Sequence, residues 1–274
     1  MATPPPAVAD HKKAQVKRAT QAVLLARSLW ADMPEDFDEG WAKIGARLVA
    51  LVTLAQFGAA QDGASYVPLA LSQQGQRSVP VAQVVPAAFA GKAPGGGLLS
   101  NMLYGAVIQA RTVAATSTAQ RLQAGRNWLD AAVQTTVMDA SRDASAAAIT
   151  ARPSVQWVRV VDVPCCQRCA VLAGKVFRYE TQFERHPNCG CQTLPQTVAN
   201  PDASGIIIGP DDVRDLTSKQ RQMIDDGHDF NKVINDYQRK RGDFLPPTLV
   251  DKLTAKKSRA KAVDSLISAG YLAA

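Results

Sequence analysis

The chain has 274 residues, with 31 Lys+Arg against 24 Asp+Glu, a formal net charge of +7, and 46% hydrophobic but only 6% aromatic residues. That length predicts one or two domains, and that apolar fraction excludes a wholly disordered chain and points to an alanine-rich core. The basic balance favours an acidic partner such as nucleic acid without establishing one, and the three histidines confine any imidazole chemistry to His11, His186 and His228.

Residues 1–8 read as a Pro/Ala tail, mobile in solution. From about Asp10, Val16, Ala19, Val23, Leu24 and Trp30 recur at helical spacing until Met33-Pro34 breaks the pattern. A second helix is predicted over 37–63, with Trp41, Ile44, Leu48, Leu51, Val52 and Phe57 as its apolar stripe. Residues 64–97 carry only Arg77 and Lys92 as charges and are interrupted by Pro68, Pro80, Pro86 and Pro94. They read as an apolar connector that packs on something, and as a candidate contact region. The longest helical pattern spans 98–150, with a break near Ser117, where Thr116-Ser117-Thr118 would cap a second helix. Trp157–Val161 and Val176–Tyr179 then read as strands. After Pro195 the chain loosens through Asn200–Gly205, and helical pieces are predicted at about 218–226, 229–239 and 247–273. No secretory signal is read at the N-terminus. The longest weakly polar run, 79–91, is too short to span a bilayer, so a soluble protein made in a reducing cytosol is expected, with no membrane partner.

All five cysteines fall between Cys165 and Cys191. A disulfide framework would spread its cysteines to staple distant loops, whereas one cluster indicates a local metal or redox site. The spacing is Cys166-x2-Cys169, sixteen residues, then His186-x2-Cys189-x-Cys191. A C-x2-C turn brings two sulfurs to one point, and the His-Pro-Asn-Cys-Gly-Cys run supplies a second pair, with Gly190 free to bend and Pro187 stiffening the approach. The favoured ligands are Cys166, Cys169, His186 and Cys191, with Cys189 as the main substitute and Cys165 only buried. Four such donors with no vacancy suit a structural Zn2+ rather than a catalytic one. A redox or disulfide pair beside an unrelated histidine is the plainer alternative. A zinc deaminase would need H-x-E upstream of P-C-x-x-C, and the only upstream histidine is His11. A Cys–His nucleophile would compete for the metal's own ligands. A Ser–His protease must recruit His11, near the tail, or His228, in the polar turn 225–229.

Arg168-Cys169-Ala170-Val171-Leu172-Ala173-Gly174, followed by Arg185-His186-Pro187-Asn188-Cys189-Gly190-Cys191, resembles the MuF-like minor capsid proteins of tailed phages, closest to their actinobacteriophage branch. Asp215-Leu216-Thr217 through Gln220, then Ile224-Asp225-Asp226-Gly227, Asp229, Asn231, Val233 and Asn235, is similar to the segment that follows the metal module in that family, and Leu266–Tyr271 also fits. The likeness is specific over 158–235. The doubled Cys165-Cys166 and the run Asp236-Tyr237-Gln238-Arg239 depart from the pattern. The resemblance implies a low-copy structural virion protein inside the phage head near the portal. It would act in head morphogenesis and DNA packaging or ejection, with the portal protein or the major capsid protein as partner. Some relatives are fused to a capsid maturation protease, which makes a protease or catalytic relative the alternative; this chain has no spare length for such a domain.

Two basic segments, Lys12, Lys13, Lys17, Arg18 and Arg27 at one end and 239–261 at the other, would allow non-specific contact with packaged DNA through phosphates. A zinc-stabilised non-specific DNA-binding protein is therefore the second alternative, and an acidic portal surface is another recipient for the same charge. The expected fold is α-rich, α+β. A helical region covers 9–150, a zinc-stabilised α+β module 154–198, and a polar, basic helical tail 199–274.

Overall fold

A computed structural model describes residues 5–114, 117–186, 189–200, 208–236 and 245–274. Residues 1–4 of the expected tail, Thr116, Pro187, the loosening at 201–205 and the basic run 239–241 lie outside the described residues. The chain is α-rich and of α+β class, with an N-terminal helical region followed by a small sheet and shorter helices.

Helix α1 (Pro6–Trp30) opens on a proline at its first position, where the missing N–H costs no intrahelical bond. Ala7 and Val8 are buried, so the helix reaches into the segment read as tail. Helix α2 (Phe37–Gln73) starts at Asp36, whose carboxylate accepts from the N–H groups of Asp38 and Glu39 at 3.0 Å. It runs ten residues past the expected end at Gly63, through Pro68, and takes in the first part of the expected connector. An interior proline costs about 3 kcal/mol. Burial of Tyr66, Val67, Ala70 and Leu71 on the flanking turns offsets that cost. The stop lies at Gly75 (φ +67°). There the Gly75 N–H bonds Ser72 O and the Gln76 N–H bonds Leu71 O, the paired pattern of a glycine-ended helix. By length and composition α2 is also apolar enough to cross a membrane, a segment the sequence reading passed over. Here it packs against α1 and α4.

The rest of the expected connector forms β1 (Gln83–Val84) and a 3-10 turn at Pro86–Phe89. Strand β1 pairs with β5 (Leu272–Ala273), and Phe89 packs on Tyr271 at 4.7 Å between ring centres. The connector thus ties the C-terminus to the helices. The long 98–150 pattern divides into α3 (Leu99–Thr112) and α4 (Thr118–Thr150), with Ser117 Oγ accepting from the Gln120 N–H at 3.3 Å. Helices α1 to α4 enclose one apolar cluster, which α9 (Arg259–Ser268) and β5 close through Val263, Leu266 and Leu272.

The sheet has order β3–β2–β4, all antiparallel, from β2 (Val155–Val160), β3 (Val176–Phe177) and β4 (Gln192–Thr197). Pro195 sits within β4, which the sequence reading treated as the start of a loose stretch. The strand is an edge, where a proline without an N–H is tolerated. Its carbonyl accepts from Gln74 Nε2 at 2.8 Å. The sheet's apolar face joins a second cluster with Ala7 and Val8 of α1, Tyr66, Val67 and Leu71 of α2, and Ile149 of α4. Short helices α5 (Gln167–Leu172), α6 (Ser218–Asp225) and α7 (Phe230–Asp236) pack on it, while α8 (Leu249–Thr254) joins the first cluster through Val250.

Helices α2 and α4 pack tightly at Gly63, where an added Cβ would lie 2.2 Å from Ser141 O. Gly63→Ala should cost about 1–3 kcal/mol in urea unfolding. Gly95→Ala, where nothing lies within 4 Å of the added atom, should stay within about 0.5 kcal/mol of the parent. Equal stabilities for the two variants would contradict this packing.

Candidate metal centre

Two segments build the site. Strand β2 leads to Cys165, whose N–H bonds Asp212 O at 2.8 Å and whose carbonyl accepts from the Arg214 N–H at 2.9 Å. Cys166 is the N-cap of α5, so Cys169 lies one turn on and its sulfur returns to the same side. Asp215 Oδ1 fixes the start of that turn by accepting from the Gln167 N–H at 2.9 Å. The second segment brings His186, Cys189 and Cys191, with the Cys189 N–H bonded to His186 O at 3.1 Å. Gly190 is needed for closeness rather than for bending, since an added Cβ would lie 2.5 Å from Asp162 Oδ2.

The donors fall into two groups that share one member: Cys166, Cys169 and His186, and Cys169, Cys189 and Cys191. His186 Nε2 lies 3.2 Å from Cys166 Sγ and 3.5 Å from Cys169 Sγ, and Cys169 Sγ lies 4.0 Å from Cys189 Sγ. Neighbouring donors of a tetrahedral centre with metal–sulfur bonds of about 2.3 Å stand about 3.5–3.8 Å apart. These groups could hold a metal ion. Cys189 and Cys191 stand together in the second group, and Cys165 belongs to neither.

Sequence reasoning missed the group behind the sulfurs. Arg159, next to the end of β2, is 0% exposed. Its Nη2 donates to Cys169 Sγ at 3.4 Å and Cys189 Sγ at 3.6 Å, its Nη1 donates to Glu184 O at 2.6 Å, and its guanidinium lies over Phe183. Among the described residues no carboxylate pairs with it. Burial acts to lower its pKa, yet Cys191, Cys169 and Cys189 together hold it above the ordinary value. Cys166 is drawn down to about 4, first by its hydrogen bond with Cys169 and further by His186, against the cost of burial. Cys189 is lowered by Cys169 and then Cys191, while Cys169, the shared donor, is raised. Thiolate is the form a metal requires. Cys165 is pushed the other way, to about 12, mainly by burial.

Helix α4 clamps the second segment. Asp139 Oδ1 accepts from Arg185 Nε at 2.7 Å and from Arg142 Nη1 at 3.1 Å, and Arg142 Nη2 donates to Cys189 O. Arg185 also donates to Pro246 O at 2.9 Å. Asp139 and Arg142 gave no sequence signal, because in an α-helical run they read as part of a polar face.

The other histidines stand apart from the cluster. His11 lies within α1, buried, stacked on Tyr66 at 4.1 Å, with Gln15 Nε2 at 3.1 Å and Ser141 Oγ at 3.4 Å. This Ser–His contact is enclosed, at 0% and 7% exposed for Ser141 and His11, so it meets no substrate from solvent. His228 is exposed in the turn after α6, its N–H bonded to Met223 O at 3.0 Å. Comparison with known proteins adds no name: no family model matches the chain, and no curated protein or solved structure matches it.

Because Cys169 belongs to both groups, Cys169→Ser should fall below about half a metal ion per chain under reducing conditions. Cys189→Ser and Cys191→Ser should each lose less, since either can stand in for the other; equal losses in all three would contradict the shared-donor geometry. A second prediction concerns His11, whose pKa is lowered to about 4 by burial and then by Arg142. The unfolded chain takes up this proton near pH 6.5 and the folded chain only near pH 4. Stability present above pH 6.5 is therefore lost as pH falls toward 4, by up to about 3 kcal/mol. His11→Gln should flatten that part of a stability–pH curve measured by denaturant unfolding.

Proposed function

We propose that this chain is a structural, non-catalytic minor capsid protein of the MuF-like kind, placed inside the head of a tailed phage near the portal. In this reading it acts in head assembly and in DNA packaging or ejection. The observation that carries it is the meeting of Cys166, Cys169, His186, Cys189 and Cys191, the residues on which the resemblance rests, in a single cluster docked on a helical body. Zn2+ is the metal we propose. Thiolates and one imidazole at tetrahedral spacing suit it, and a full donor set suits a structural ion that would hold two loop segments together.

The protease alternative has less to stand on. His186 is among the metal donors, His11 is enclosed, and His228 stands in an exposed turn. The DNA-binding alternative keeps some support from charge. Of the five N-terminal cations, Lys12 pairs with Asp162, Arg18 with Asp62 and Arg27 with Asp130, while Lys13 and Lys17 are exposed. Lys252, Lys256 and Lys261 are exposed at the other end. A partner with an acidic surface, portal protein or packaged DNA, would meet these.

The test is composition and contact. Mass spectrometry of purified virions should find the chain at low copy number, and the co-expressed portal protein should retain it on a tag. Absence from virions together with no retention by portal or major capsid protein would overturn the proposal. Duplex binding with a steep salt dependence, in the absence of any capsid contact, would favour the DNA reading.

A further inference from the structure

A cleft of about 50 Å³ opens beside the cluster, lined by Cys165, Cys166, Cys169, His186, Cys191 and Arg214. One water needs about 10–15 Å³ of such space, so the cleft admits a small neutral molecule such as hydrogen peroxide. Cys166 and His186 are half-buried at this edge. Cys169 lines the cleft, and Cys189 is not among its lining residues; their sulfurs are 4.0 Å apart. Arg159 holds this pair from behind, with Nη2 donating to both sulfurs.

We propose that Cys169 and Cys189 are an oxidation site, converted by hydroperoxide to a disulfide that dismantles the metal centre; the second clause rests on the metal reading above. Three features together favour the pair, although Cys165, Cys166 and Cys191 line the same cleft. Cys169 is reached from the cleft. Its sulfur needs to approach Cys189 by only about 2 Å to reach disulfide length. It is also the one donor common to both groups, so tying it into a disulfide takes a ligand from each.

The chemistry closes with the peroxide as oxidant. The Cys169 thiol gives its proton to solvent and its sulfur attacks one peroxide oxygen, the O–O bond breaks, and hydroxide leaves, giving a sulfenic acid. The Cys189 thiolate then attacks that sulfur, the S–O bond breaks and a second hydroxide leaves. Two electrons pass from the sulfur pair to the peroxide, and two protons from solvent convert the hydroxides to water. Two thiolates are lost from the donor set, and a zinc ion left with too few donors departs.

Treating the purified full-length protein with hydrogen peroxide tests this. Peptide mapping should show Cys169 joined to Cys189, a chelating dye should report zinc release in step with that bond, and thiol reductant with added zinc should reverse both. Cys189→Ser should release zinc at least about tenfold more slowly, since the sulfenic acid has lost its partner. A dominant Cys166–Cys169 or Cys189–Cys191 bond, or a mixture without preference, overturns the proposal. Zinc retained after the bond has formed overturns the dismantling step. If the reduced protein carries no metal, the metal reading fails by itself and mapping of the metal-free chain still decides the disulfide.

Discussion

A guanidinium at 0% exposure cannot stand in a protein interior without compensating charge, and Arg159 obtains it from sulfur rather than from carboxylate. The cost of burying such an ion is several kcal/mol unless a partner and full hydrogen bonding repay it. Glu184 O, the Phe183 ring and the two sulfurs supply partners for Nη1, Nη2 and the guanidinium face, while Nε has no partner among the described residues. Among the cysteines its charge acts on Cys191, where it opposes the upward push of burial and Cys189, while Cys169 stays raised. One arginine in one strand therefore ties β2 to the donor cluster through Cys169 and Cys189. A zinc bound by three thiolates and an imidazole would carry a net charge of about −1, which a single guanidinium matches.

The cluster is not an appendage to the helices. Asp139 and Arg142 of α4 hold Arg185 and Cys189 O, and both lie in the helix that spans the main apolar cluster. At the C-terminal end of α4, Arg259 donates to the carbonyls of Ile149, Thr150, Arg152 and Val155 and stacks on Tyr179. Carbonyls at a helix end have no intrahelical donor, and a buried end needs a substitute. Arg259 provides it while joining α9, α4 and β2. Strain or order introduced at the sulfurs is thus passed to the bundle through charged contacts that are expensive to leave half made.

The parts of this architecture that were legible in the sequence were those written in neighbouring residues. Ser117 announced the start of α4, and Cys166, Cys169, His186, Cys189 and Cys191 announced a cluster because short loops set their spacing. What was illegible depended on partners far along the chain. Gly63 looked like a helix end, yet it is a contact point that only the position of Ser141 explains. Pro68 and Pro195 looked like breaks, yet one is carried by the burial around it and the other lies on a sheet edge. Arg159 was visible as a lone charge within the apolar run Trp157–Val161. A charge there means either an exposed strand face or a buried counter-ion, and only the fold decides between them.

The net charge of +7 reads differently once these roles are assigned. Arg159 neutralises sulfur, Arg259 satisfies carbonyls, and Arg142 and Arg185 both meet the single carboxylate of Asp139. Those four cations are used in the interior, where Asp143 and Asp251 also act on Arg185, so part of the formal excess is enclosed. Ionised cysteines, which a formal count leaves neutral, cancel part of that excess where Arg159 meets them. The composition therefore overstates the positive charge available to a partner, and the remaining exposed lysines at the two ends set the electrostatic surface. A cluster of thiolates can make a chain appear basic on paper, because the residues that balance its arginines are counted as uncharged.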